Sequence, residues 1–189
     1  MLKTAFKQAQ RWELIDRNPA LLATPPRVSS KEIEPPESEA VKRVIIAAAN
    51  SQNPENALIF RLLAATGCRR AEICGLRWTD FNLGQCKVTL RRSVVQVETD
   101  LIEKDTKTHQ QRTVTLDPGT IKLLKIHHQT MIQQAQLFEV ELAPDAYVFA
   151  NSPDGLAPIA PDRLSQAWRR LADREGVDAR LHDLRHLQA

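Results

Sequence analysis

Long apolar runs and cysteines are scarce in this 189-residue chain, and each shortage removes a class of protein. No uninterrupted apolar stretch approaches the roughly 18 residues a helix needs to span a bilayer, so a membrane-spanning protein is not expected. The N-terminus MLKTAFKQAQRWELIDRNP has no apolar core of the secretory-signal type, and a cytoplasmic location is the expectation. The 3 cysteines, Cys68, Cys74 and Cys86, are odd in number and lack CxxC spacing, which argues against both a disulfide framework and a zinc site. An excess of one charge sign is missing too. With 26 Lys+Arg against 23 Asp+Glu the net charge is +3, compatible with nucleic acid without demanding it.

What is present suits a folded domain: 42% hydrophobic and 26% charged residues are ordinary for a globular core with a solvated surface. Leu2 to about Ile15 reads as a short helix. The stretch RNPALLATPPRVSSKEIEPPESEA follows, and its prolines 19, 25, 26, 35 and 36 remove amide donors and restrict the residues before them, so it reads as a linker. Residues 1–18 are then the last element of a helical domain, 19–36 the linker, and 37–189 the main domain.

Within that domain Ala40, Val41, Val44, Ile45 and Ala48 recur at helical spacing, and ALIFRLLAATG follows the helix-start signal Asn53-Pro54 and breaks at Gly67. RAEICGLRW forms another short helix and TDFN a turn. Alternating β-branched residues in LGQCKVTLRRSVVQVET and in RTVTL predict strands. The polar DLIEKDTKTHQQ between them reads as an exposed loop or hairpin tip. Asp117-Pro118 starts a helix to about Leu137 that buries Ile121, Leu124, Met131 and Ile132, and PDRLSQAWRRLADREG is a helix closed by Gly176. His182 to His186 begins a last helix. The fold class expected is mainly α with a small antiparallel β-sheet.

Three cationic clusters stand far apart along the chain: Arg69 and Arg70 at a helix start, Lys107 in the polar loop, and His182 with Arg185 near the end. Each has an ordinary explanation. Arg69 is within helical reach of Glu72 and suits a surface ion pair, and His182 and Arg185, three apart, suit a solvated basic face as well as a shared anion. The dipeptide His182-Asp183 invites a metal-phosphohydrolase reading, but histidines 109, 127, 128 and 186 supply no matching ligand pattern, so no metal is expected.

Taken together, TGCRRAEICGLRW at 66–78, DTKTHQQRTVTL at 105–116 and HDLRH at 182–186 resemble, in order and spacing, the catalytic domain of the tyrosine recombinase, or phage integrase, family. The first block fits that family's TGxRxxExxxLxW pattern, the second its lysine-bearing TKT with a following basic residue and strand, and the third its HxxR block. WELIDRNPA with the Pro-rich linker resembles the junction between the family's DNA-clamping helical domain and its catalytic domain.

The resemblance implies a DNA breaking-and-joining fold whose catalytic residues are Arg69, Lys107, His182 and Arg185. Arg69 and Arg185 would hold the non-bridging oxygens of a scissile phosphodiester, Lys107 would protonate the leaving 5′-oxygen, His182 would bind phosphate and assist proton transfer, and Glu72 would support an arginine. Double-stranded DNA is the implied partner, a tetramer the implied assembly of the full-length protein, and no metal or nucleotide cofactor is implied. The family's nucleophilic tyrosine lies downstream of HxxR. Here the 1 tyrosine, Tyr147, precedes that block inside the apolar AYVFA, where a core position is expected, and 37–189 reads as a catalytic domain truncated before its nucleophile. A recombinase fragment without turnover of its own, a non-catalytic DNA-binding remnant and a helical protein-interaction domain are the three readings that the sequence leaves open.

Overall fold

The computed structural model describes residues 2–24, 36–105 and 111–188. The chain divides into two compact units, Met1–Glu34 and Pro35–Ala189. In the first, helix α1 (Leu2–Arg11) buries none of its side chains. It ends short of the expected Ile15, with left-handed backbone at Glu13 (φ 58°). Asn18 then ties the returning chain to the helix: its Nδ2 donates to the Lys3 carbonyl at 3.0 Å and its Oδ1 accepts from the Ala20 amide. The proline-rich linker expected over 19–36 falls largely on residues 25–35, outside the described residues.

The second unit is mainly helical, with α2 (Ser38–Ala49), α3 (Glu55–Thr66), α4 (Arg70–Cys74), α5 (Pro118–Leu137) and α6 (Pro161–Arg174). Helix α3 packs against α2, α5 and a 3-10 helix at Leu181–Gln188. Its ALIF and LLAA runs allow this central place, because a helix apolar on nearly every side can be covered on every side, and none of residues 55–66 is exposed. Phe60 of α3 meets Trp168 of α6 edge to face, ring centroids 5.0 Å apart, and the Trp168 indole N–H donates to the Ala179 carbonyl at 2.7 Å. Asp117 caps α5 by accepting from the Thr120 amide at 3.0 Å. The buried residues Ile121, Leu124 and Met131 follow as the periodicity requires, with Ile132 only partly covered and Ala135 buried in its place.

Among the described residues, five strands form two antiparallel sheets rather than one. Strands β1 (Phe81–Asn82), β2 (Lys87–Leu90) and β5 (Arg112–Thr115) pair in the order β1-β2-β5, while β3 (Arg92–Val97) pairs with β4 (Asp100–Asp105) alone. Strand β4 replaces part of the loop expected from Asp100 onwards. The polar side chains of DLIEKD fit a strand because only one face of a two-stranded hairpin needs covering, and Val97 pairs with Asp100 around a tight turn with Glu98 at φ 55°. Residues 106–110, with Lys107, lie outside the described residues.

Candidate phosphate-binding site

The segment TGCR turns the chain from α3 into α4. Thr66 Oγ1 donates back to the Leu62 carbonyl at 2.7 Å and accepts from the Cys68 amide at 3.3 Å. Gly67 takes the left-handed conformation (φ 58°) that ends α3, a backbone state that suits glycine. Arg69 follows as the N-cap of α4, at the mouth of the turn rather than inside a helix. Burial pushes the Cys68 thiol beside it up to about 12, so this cysteine is no nucleophile.

Glu72 fixes the arginine. Its side chain is 4% exposed, and its carboxylate takes three donors: Oε1 accepts from Arg69 Nη1 at 2.8 Å, and Oε2 accepts from the Arg69 backbone amide at 2.9 Å and from Arg112 Nη2 at 3.0 Å. Burial pushes this carboxyl up, but the hydrogen bonds from Arg69 and the charges of Arg112 and Arg69 outweigh it and hold the group below the usual carboxylate range. Arg69 itself stays 60% exposed, so the carboxylate uses one edge of its guanidinium and leaves the rest toward solvent.

The stretch LHDLRHLQ forms a 3-10 helix, in which residues three apart eclipse one another. Leu181 and Leu184 are buried at 7% and 0% exposure, and Leu187 packs partly on the same core. That leucine row fixes the neighbouring row, His182 and Arg185, on one side of the segment. His182 is exposed and lines a cleft of about 840 Å³ together with Arg69, Arg70, Arg169 and Arg180. Arg70 is committed within the chain, to Asp162 at 2.9 Å and to the Ser165 hydroxyl at 2.7 Å. Arg185 is half-buried, does not line that cleft, and its side chain forms no hydrogen bond or ion pair among the described residues. The fold thus brings Arg69 and His182 to one cleft, with Glu72 behind Arg69. Among the described residues no three His, Cys, Asp or Glu side chains gather as a metal site.

Tyr147 is 5% exposed, and its hydroxyl donates to Glu103 Oε2 at 2.5 Å, with the Arg77 guanidinium 4.0 Å above its ring. Sequence reasoning placed Tyr147 in the core but missed this clamp, in which Arg77 and Arg92 also hold Glu103. It missed Arg112 as the second cation on Glu72 as well. A signal existed: strand alternation puts Arg112 on the same inward face as Val114, and an inward-facing arginine needs a buried acceptor.

The sequence profile of the phage integrase family matches residues 37–189. An integrase of Saccharopolyspora erythraea is 26% identical over 241 residues, covering 99% of this chain and 54% of that protein. A tyrosine recombinase XerC-like protein of Caldanaerobacter subterraneus subsp. tengcongensis is 26% identical over 211 residues, covering 100% and 52%. The chain therefore spans about half the length of these relatives. Among solved structures, the Tn1549 transposon integrase in complex with a circular intermediate DNA superposes with a TM-score of 0.73 at 15% identity, covering 98% of this chain and 62% of that one. Lambda integrase bound to DNA gives 0.58 at 17% identity, with 98% and 60% covered.

Proposed function

Because this chain belongs to the phage integrase family over residues 37–189, we propose that its second unit is the phosphate-binding part of a site-specific recombinase that cleaves and rejoins DNA through a 3′-phosphotyrosine. The observation that supports this best is the buried Glu72 carboxylate gripping Arg69 at a cleft that His182 shares. Arg69 at the cleft, and Arg185, which shares its side of the 3-10 segment with His182 but lies outside the cleft lining, hold the non-bridging oxygens of the scissile phosphate. A guanidinium stays charged, donates two parallel hydrogen bonds and stabilises the charge that builds on a pentacoordinate phosphorus. Lys107 protonates the departing 5′-oxygen, and His182 hydrogen-bonds the phosphate and assists proton transfer. No metal or nucleotide enters, because the phosphotyrosine conserves the energy of the broken bond. The partner is double-stranded DNA, the complete recombinase works as a tetramer, and residues 1–18 are the end of a DNA-clamping helical domain.

Tyr147 is not the nucleophile, since it is 5% exposed and its hydroxyl is donated to Glu103, and these 189 residues hold no tyrosine after Arg185. That favours a second reading for the 189-residue chain by itself: DNA binding without strand capture. A nicked suicide substrate separates the two, because a covalent adduct on this chain overturns the non-catalytic reading. Binding to duplex DNA tests both. Log affinity falls with log salt at roughly one unit of slope per phosphate contact, and Arg69→Ala lowers that slope by about one. Binding indifferent to salt, or absent at low salt, rejects DNA as the partner.

A further inference from the structure

Glu72 raises an electrostatic question that the proposed phosphate site leaves open. A carboxylate bonded to a phosphate-binding arginine neutralises the charge the arginine is there to supply. One Glu72 anion against one Arg69 cation is a pair of zero net charge, and such a pair offers an incoming phosphate a dipole in place of a cation. Arg112 changes the sum. Its Nη2 reaches Glu72 Oε2 at 3.0 Å and lies 3.4 Å from the Gly67 carbonyl, so it is fastened to both the carboxylate and the turn that carries Arg69. Two cations on one buried anion leave a net positive charge, and the more exposed cation faces the cleft: Arg69 is 60% exposed and Arg112 39%.

We infer that Arg112 is a positioning and charge-compensating residue for Arg69, acting through Glu72, so that Arg69 meets DNA phosphate as a net cation with a fixed orientation. Arg112 opens β5, and Gly67 is the left-handed cap of α3, so the three side chains also join strand, helix end and cleft. A carboxylate oxygen already shared by two donors cannot swing toward the cleft without breaking a buried, charge-assisted bond. The inference rests on the reading of Arg69 as a phosphate ligand, and the experiment keeps the two apart.

The measurement is fluorescence anisotropy of a labelled duplex against the 189-residue chain across a salt series, for the parent, Arg69→Ala, Arg112→Gln, Arg112→Lys and the double variant Arg69→Ala/Arg112→Gln. Arg69→Ala is expected to weaken binding roughly tenfold at low salt and to lower the salt slope by about one. Arg112→Gln reproduces most of that loss in an otherwise folded protein, weakening binding roughly threefold to tenfold, and Arg112→Lys, which keeps the charge, stays within about twofold of the parent. In the Arg69→Ala background Arg112→Gln has no further effect. A residue that merely held the fold would not give that non-additivity, and near-ultraviolet dichroism checks that each variant keeps its packing. Additive losses mean that Arg112 touches DNA itself and overturn the relay, as does an Arg112→Gln variant that binds like the parent while Arg69→Ala does not. No effect of Arg69→Ala removes the phosphate-site reading underneath.

Discussion

A carboxylate drawn into protein contacts remains an anion only where donors and cations replace the water it has lost, and the buried Glu72 and the part-exposed Glu103 meet that condition in different ways. Glu72 relies on Arg69 and Arg112, while Glu103 relies on the Tyr147 hydroxyl with Arg77 and Arg92. For both, burial pushes the carboxyl up but the bonds and charges outweigh it, leaving it below its ordinary range. An acid whose folded value is lowered binds fewer protons folded than unfolded, so its stabilisation is present above the ordinary carboxylate range and is lost as pH falls through the folded value. Urea midpoints measured from neutral pH downward should therefore drop steeply once carboxylates begin to protonate. Glu72→Gln should flatten that drop and lower stability at neutral pH by on the order of 2–3 kcal/mol, less than for a fully buried pair because both arginines are part-exposed. Tyr147→Phe removes one bond to a charged acceptor and should cost roughly 1.5 kcal/mol in the same titration. The parent chain should already lack a covalent DNA adduct. Glu72 was readable as a partner for Arg69 because i, i+3 spacing at a helix start is a local relation. For Arg112 strand alternation shows an inward face, but not that Glu72 is its partner, because 40 residues separate the two and no local pattern spans that gap.

The 3-10 segment Leu181–Gln188 shows at the scale of an element how a short piece of chain can present chemistry. Eight residues make too little helix to be stable alone, so the segment depends on the leucine row that it buries on the α3 side of the core. Leu184 is 0% exposed and central in that row. Leu184→Ala should cost roughly 2–5 kcal/mol. It should also weaken DNA binding by freeing the row that carries His182 and Arg185, and amide exchange would show residues 181–188 losing protection first. The HxxR spacing shows that the two side chains share a side, in either helix type. It does not distinguish an α-helix from a 3-10 helix, since three residues are close to one turn in both; here the leucines at every third position accompany the tighter form. Strand β4 is the opposite case. Its polar sequence resembles a loop, and its strand geometry comes from six register pairs with β3, so the partner supplies what the residues do not advertise.

For the molecule as a whole, one hydrophobic cluster, running from Ala40 to Leu187, organises residues 35–189. A chain lacking residues 1–34 should keep the helical far-ultraviolet signature and melt in a single transition within a few degrees of the parent, roughly what a change below 1 kcal/mol produces in a domain of this size; a broad or strongly shifted melt would show that the first unit supports the second. The amino-acid sequence alone determined the helices, the end of α3 at Gly67, the place of Tyr147 in the core and the family, because periodicity, left-handed glycine and motif spacing are properties of neighbouring residues. Only the tertiary structure decided which groups meet. The pairing of β2 with β5, Arg112 beside Glu72, the hydroxyl of Tyr147 on Glu103, and Arg69 with His182 in one cleft all join residues tens of positions apart. Such meetings are set by how the buried faces of α3, α6 and the leucine row pack against each other, and a buried charge finds its partner only after that packing has brought the partner near.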